Sequence, residues 1–269
     1  MHAVAELRVI VAGLTHPGRV RSNNEDAFAI APLEGDTPVS GERSVPLDPG
    51  GHGVLLAVSD GMGGAAAGEI ASALSLEALV AGLRRTADRD STVDANRLRH
   101  LVEDASRAVF EAGQRPSRRG MGATLTAVLV CGDGAHVAQI GDSRAYLIRA
   151  RRIVQLTHDQ SWVQELVDHG VLTPEEAASS PQRNVIMQVM GQGEPLHVAL
   201  GRIRLFPGDR LLICSDGLSN VVSDADLLRL GGPPAPADAA CRALVDAALA
   251  GGAPDNVTVV VGEVVPAAL

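Results

Sequence analysis

At 269 residues, 46% of them hydrophobic and 20% charged, the chain has the composition of a globular protein with a large core rather than a disordered one, and a single domain over 1–269 is expected. Its formal charge of −9 argues against nucleic acid held through phosphate neutralisation, which needs a basic face. All 23 basic residues are arginine, which excludes a P-loop lysine, a Schiff-base lysine and a kinase ATP lysine together, while arginine stays suited to bidentate phosphate binding.

In chain order, Met1 to Gly13 lacks a basic leading region and is interrupted by Glu6 and Arg8, so it reads as a first strand rather than a signal peptide. No run approaches the roughly 18 apolar residues of a membrane helix, so a cytoplasmic protein with no membrane partner is expected. Strands are predicted over Leu7 to Gly13 and Ala27 to Ala31, then a Gly/Pro-rich loop from Glu34 to Gly53, and a strand over Val54 to Val58. After the turn Gly61-Met62-Gly63-Gly64, helices are predicted over Ala65 to Leu83 and Asp94 to Gln114. In the second, Leu98, Leu101, Val102, Ala105, Val109 and Ala112 recur at helical spacing.

Ala123 to Cys131, Ala135 to Ile140, Arg144 to Arg149 and Ile153 to Leu156 read as strands of an antiparallel meander joined by short turns. A mixed segment, Thr157 to Gly193, holds a short helix around Ser161 to Asp168 and a second marked by Thr173 as cap, Pro174 at the first helical position and Glu176 closing a capping box. Strands Val198 to Leu205 and Arg210 to Cys214 follow. A helix after Ser223, a helix over Asp238 to Ala250 and a last strand from Val257 complete an α+β layered arrangement. Cys131, Cys214 and Cys241 read as buried free thiols.

Carboxylates sit at the turns of this pattern. Asp60 follows the strand Val54 to Val58, Asp142 follows Ala135 to Ile140, Asp216 follows Arg210 to Cys214, and Asp255 precedes Val257 to Val261. If those strands are antiparallel neighbours, the acids meet at one sheet end. Like charges at such distances repel strongly once partly removed from water, so the cluster needs cations, the pattern of a divalent-metal hydrolase. One Asp-Gly pair alone is an ordinary turn; Asp60-Gly61, Asp216-Gly217 and Asp255-Asn256 together are explained by a metal site, in which the missing glycine side chain leaves a backbone carbonyl free to coordinate. Arg21, Glu25 and Asp26 lie in one short segment, read either as a surface ion pair or as a phosphate-binding guanidinium beside a carboxylate, Glu25 or Asp26, that orders a metal water.

The segments Arg21-Ser22-Asn23-Asn24-Glu25-Asp26, Val58-Ser59-Asp60-Gly61-Met62-Gly63-Gly64, Gly120-Met121-Gly122-Ala123-Thr124, Ile140-Gly141-Asp142-Ser143-Arg144, Leu156-Thr157-His158-Asp159, Cys214-Ser215-Asp216-Gly217-Leu218 and Asp255-Asn256-Val257-Thr258 resemble, in the same order, those of the bacterial metal-dependent (type 2C) Ser/Thr protein phosphatases. The resemblance implies a four-layer α-β-β-α sandwich, two central mostly antiparallel sheets flanked by helices, with Thr157 to Gly193 as a flap beside the active site. It implies that Asp60 bridges two Mn²⁺ or Mg²⁺ ions, that Asp216 and Asp255 complete one ion's shell, and that the Gly61 carbonyl and Glu25 serve the other. Arg21 would hold the substrate phosphate, and Asp142 with Asp216 would match a weaker third site. The implied reaction is hydrolysis of phosphoserine and phosphothreonine in proteins, Ser/Thr kinases among them, by a water bridging the ions; a monomer is expected. A regulatory binding protein on the same fold is the alternative, and a two-metal nuclease a third reading. Two departures stand out: Met62 where some eukaryotic members carry a histidine proposed as general acid, and Asn220 where the family often has Asp, which removes a ligand charge from the third site. His158 reads as a loop or capping imidazole, or as a contact to the flap or a third-site water. His16 is weighed likewise, and Trp162 reads as packing.

Overall fold

Strand order and helix placement follow from which face each apolar side chain must bury. The computed structural model of the protein describes residues 7–35, 39–63, 67–87, 93–193 and 195–267. Met1 to Glu6, Asp36 to Pro38 of the expected loop, and Gly64 to Ala66, where the first helix was expected to start, lie outside them.

The described elements are β1 (Leu7–His16), β2 (Asp26–Pro32), β3 (Val45–Leu47), β4 (Val54–Met62), α1 (Ala67–Ala87), α2 (Ala95–Ala112), β5 (Gly122–Ala123), β6 (Leu125–Cys131), β7 (Gly134–Ile140), β8 (Arg144–Arg149) and β9 (Arg152–Gln155). They continue with α3 (Trp162–Asp168), α4 (Pro174–Ser179), β10 (Ala199–Arg204), β11 (Arg210–Cys214), α5 (Asp216–Ser219), α6 (Asp224–Gly231), α7 (Ala237–Ala250) and β12 (Val257–Pro266). One sheet runs β3-β1-β12-β11-β8-β9 and the other β10-β7-β6-β4-β2, with β5 paired to β4; every pairing is antiparallel.

The layering is legible along β4. Leu56 and Val58 face the core between the sheets, with Val9, Val11, Val128, Val130, Ile213 and Val260. Leu55 and Ala57, one residue out of phase, face Leu79 and Leu83 of α1 and Leu98, Leu101 and Val102 of α2. On the opposite outer face, Leu212, Val259 and Val261 pack under Leu244 and Val245 of α7 and Leu227 of α6. The result is the expected helix–sheet–sheet–helix sandwich, with cores built from aliphatic side chains as a 2% aromatic content requires. Arg210 is a buried charged side chain beside the aliphatic layers. Its guanidinium is buried at 1% exposure and donates to the Gly231 carbonyl at 2.9 Å and to Glu263 Oε2 at 2.7 Å, the partners a buried charge needs.

Four helices start at a side-chain cap, of which Thr173 was the one expected. Asp94, Ser161, Thr173 and Ser223 each accept from a backbone N–H in the first turn, and Thr173 with Glu176 closes the capping box. Three expectations change. The loop from Glu34 to Gly53 contains the short strand β3 on the edge of β1. Cys131 is half-buried rather than buried like Cys214 and Cys241. The meander is broken: β6–β7 and β8–β9 are hairpins of different sheets, and the chain changes sheet at Gly141–Ser143, because Ile140 and Ala145 fill different layers. Among the described residues no helix is long and apolar enough to cross a membrane.

Candidate metal centre

The acids meet at the same end of both stacked sheets rather than at the end of one, since β4 and β7 belong to one sheet and β11 and β12 to the other. Register brings them together. Asp26 lies opposite Asp60 across β2 and β4, and the antiparallel pairing of Cys214 with Val259 sets the residues after β11 beside those before β12. Arg21, Glu25, Asp60, Gly61, Met62, Asp216, Asp255 and Asn256 line one cavity of about 530 Å³. Asn184, Ile186, Val189 and Gln192, from the segment expected to be the flap, complete its wall.

β4 continues through the Asp60-Gly61 turn. Asp60 N donates to Thr124 Oγ1 at 2.9 Å and its carbonyl accepts from Thr124 N at 2.8 Å. Gly61 then pairs with Ala123 of β5, and its N–H donates to the Glu25 carbonyl at 3.1 Å. A Cβ at Gly61 would overlap the Gly68 carbonyl of α1, and one at Gly217 would overlap the Asn256 carbonyl. Both Asp-Gly pairs therefore carry glycine because another backbone crosses there.

Asn256 fastens the N-terminal segment to this end. Its Oδ1 accepts from Glu25 N at 2.8 Å, and its Nδ2 donates to the carbonyls of Asn23 at 2.8 Å and Pro17 at 3.0 Å. That clamp was unassigned in the sequence, where only its position beside Asp255 pointed to it. Arg21 Nη2 donates to Asp255 Oδ2 at 2.7 Å, and the Asp255 hydrogen bond and charge hold the guanidinium above its ordinary pKa.

Asp26 lines neither this cavity nor its neighbour. It is buried at 7% exposure behind the wall, with Oδ2 accepting from Ser215 Oγ at 2.7 Å and Oδ1 without a hydrogen-bond partner among the described residues. Ser215 Oγ in turn accepts from Thr258 N at 3.0 Å, so a hydroxyl joins β2 to β12. Asp142 lies in an adjoining cavity of about 310 Å³ with Arg144, Asp159, Asn220 and Asp216. Asp216 lines both cavities, which places Asp142 near Asp216 as the resemblance implied. Asn220 Nδ2 donates to Asp216 Oδ2 at 3.1 Å, and Arg144 makes a bidentate pair with Asp159, its Nη2 at 2.7 Å. His158 Nε2 is 2.6 Å from Asp168 Oδ2 at the end of α3, a contact within the segment expected to be the flap. His16 Nδ1 accepts from Gly18 N at 2.9 Å, a turn contact, and Trp162 is 40% exposed rather than packed away.

Carboxylate chemistry at this end is strained toward protonation. Burial, then the Asp26, Asp216, Asp142 and Asp255 charges, raises Asp60 well above the ordinary carboxylate range. Burial raises Asp26 to about 7, Asp142 to about 8 with Asp216 as the largest charge, and Asp216 to about 6 with Asp255 as the largest. Asp26 Oδ1, Asp142 Oδ1 and Asp216 Oδ1 are buried and have no hydrogen-bond partner among the described residues. Orphaned, mutually repelling hard oxygens fit a divalent cation. Among the described residues no group of three or more His, Cys, Asp or Glu side chains is arranged to hold a metal ion, so a cation here needs further oxygens from backbone carbonyls, water or substrate.

The sequence model described as protein phosphatase 2C matches residues 47–247. The serine/threonine protein phosphatase PstP of Mycobacterium tuberculosis is 42% identical over 253 residues, covering 92% of this chain and 43% of PstP; the chain thus spans under half of that relative's length. A putative protein phosphatase 2C-type protein of Streptococcus pyogenes is 37% identical over 91% of this chain and 93% of its own length. The solved PstP catalytic domain, in complex with two manganese ions, is 36% identical with a TM-score of 0.78, covering 96% of this chain and 99% of that one. With the acids gathered on the matching sandwich, this chain belongs to the protein phosphatase 2C family.

Proposed function

We propose that the protein is a metal-dependent hydrolase of phosphoserine and phosphothreonine in proteins. The observation that carries this reading is the convergence of Asp60, Asp216 and Asp255 with Arg21 on one cavity, beside buried carboxylate oxygens that lack partners. Asp60, Asp216 and Asp255, with the Gly61 carbonyl and Glu25, are the residues proposed to hold the ions, and Asp142 with Asp216 those of a further, weaker position. Bound Mn²⁺ or Mg²⁺ supplies positive charge against the phosphate and lowers the pKa of water at the site.

The chain's own residues do the rest. Among the described residues Arg21 spends only Nη2 on a side-chain partner, Asp255, which leaves its other N–H groups to grip phosphate oxygens and hold the phosphorus in line for attack. Asn256 and Thr124 fix the backbone of Glu25 and Asp60, so the carboxylates are placed before substrate arrives. Met62 lines the cavity and carries no transferable proton, so the proton for the departing Ser or Thr oxygen comes from water at the site or from another group. Ile186 and Val189 supply an apolar wall beside it.

The same reading places residues 1–269 in one domain, acting in the cytoplasm as a monomer on phosphorylated proteins, Ser/Thr kinases among them. The shared core between the sheets supports the single domain. The test is turnover of a phosphothreonine peptide and of single-stranded DNA with Mn²⁺ and with chelator. Peptide hydrolysis that disappears on chelation is expected. Cleavage of the DNA in its place would support a nuclease, and binding without turnover would support a regulatory protein.

A further inference from the structure

A second cavity, of about 650 Å³, adjoins the metal-centre cavity and shares Gln192 with it. One wall is α2, through Glu103, Ser106, Arg107, Phe110 and Glu111; the other is Gln192, Gly193, Pro195 and Leu196. The polypeptide that walls the metal centre at Val189 and Gln192 thus goes on to wall this cavity. It is fastened on both sides. Met190 bridges Ala123 of β5, Gly191 N donates to Ser106 Oγ of α2 at 3.0 Å, and His197 N donates to Gln188 Oε1 at 3.2 Å.

The floor is apolar. Phe110 is 39% exposed in a chain with three phenylalanines, and its ring lies against Gly193, where an added Cβ would stand 3.0 Å from Cε2. Leu196 and Pro195 extend the floor. The rim is acidic in effect: Arg107 Nη1 turns to Asp104 at 3.4 Å, while Glu103 and Glu111 form no ion pair among the described residues.

From this geometry we infer that the cavity beside α2 is the subsite for the residues flanking the phosphoresidue of a protein substrate, and that it selects an apolar residue with an arginine or lysine next to it. A chain whose phosphate sits among Arg21, Asp60 and Asp216 leaves the metal centre past Gln192 and enters this cavity. Its apolar side chain covers Phe110 and Leu196, and its cation meets Glu103 and Glu111. The inference deepens the phosphatase reading and rests on it.

The test compares phosphothreonine peptides carrying Leu-Arg on the N-terminal or the C-terminal side with the same peptides carrying Ala-Glu, and uses p-nitrophenyl phosphate as a substrate that reaches only the metal centre. In one of the two directions, kcat/KM for the Leu-Arg peptide is expected to exceed its Ala-Glu counterpart by about 10-fold, chiefly through KM, the effect of one covered apolar side chain and exposed ion pairing. Glu103→Gln with Glu111→Gln is expected to remove the share due to charge, Phe110→Ala the share due to leucine, and neither to change turnover of p-nitrophenyl phosphate. Equal kcat/KM for all flanks, or a preference that survives both variants, overturns the subsite while p-nitrophenyl phosphate is still hydrolysed. Failure to hydrolyse any of these substrates with Mn²⁺ would instead count against the phosphatase reading itself.

Discussion

Asp60→Asn and Asp216→Asn are each expected to lower kcat/KM on a phosphothreonine peptide by roughly 10³-fold or more, because each removes a charge on which cation binding depends. The same substitutions are expected to raise, not lower, the stability of the protein in chelator. The Asp60 carboxylate accepts no hydrogen bond among the described residues and faces the charges of Asp26, Asp216, Asp142 and Asp255. A neutral amide of the same shape removes that repulsion and is expected to stabilise by about 1–2 kcal/mol, a gain typical where function is held at the cost of stability. Activity on the peptide and a urea melt, measured on the same preparations, separate a functional acid from a structural one. Lost stability with lost activity would show that Asp60 holds the fold together.

Stability without cations is expected to fall as pH rises. Asp216, Asp26 and Asp142 have folded values of about 6, 7 and 8 against an unfolded value of 3.8. A raised folded value means that the native state binds more protons than the unfolded chain between the two, so unfolding becomes easier as pH increases through that window. The contribution is fully present below about pH 4 and is gone above about pH 8. Asp238, held at about 2 by Ser44 and then Arg242, acts in the opposite sense, but only as pH falls below 4. The melting temperature in chelator is expected to drop by roughly 5–10 °C between pH 5 and pH 8. Saturating Mn²⁺ should flatten that slope, since a cation replaces the protons. A melting temperature that rises over the same range in chelator would mean that the carboxylates are not buried together.

Much of this arrangement was legible because it is local. The cap residues Asp94, Ser161, Thr173 and Ser223 mark helix starts through hydrogen bonds to their own first turns, and Asp60, Asp216 and Asp255 sit at turns with strands beside them. What stayed hidden is set by partners far along the chain. β7 and β8 have the same alternating character, and nothing between Ile140 and Arg144 states that they join different sheets; that depends on which core each fills. Asp26 looks as available as Glu25 in sequence, yet its place opposite Asp60 turns it inward onto Ser215. Asn256 was visible only as Asp255's neighbour, because a carboxamide's role is set by the carbonyls and N–H that reach it, here from residues 231 to 239 positions away. The short helix α5 is not legible in sequence because Asp216-Gly217-Leu218-Ser219 reads as a turn.

Binding of Mn²⁺ itself, followed by equilibrium dialysis near neutral pH, tests most directly whether the scattered acids form one cation site. The parent protein is expected to bind about two ions per chain, and the Asp60→Asn Asp216→Asn double variant, folded by circular dichroism, to bind none tightly. Undiminished binding by the double variant would contradict the account.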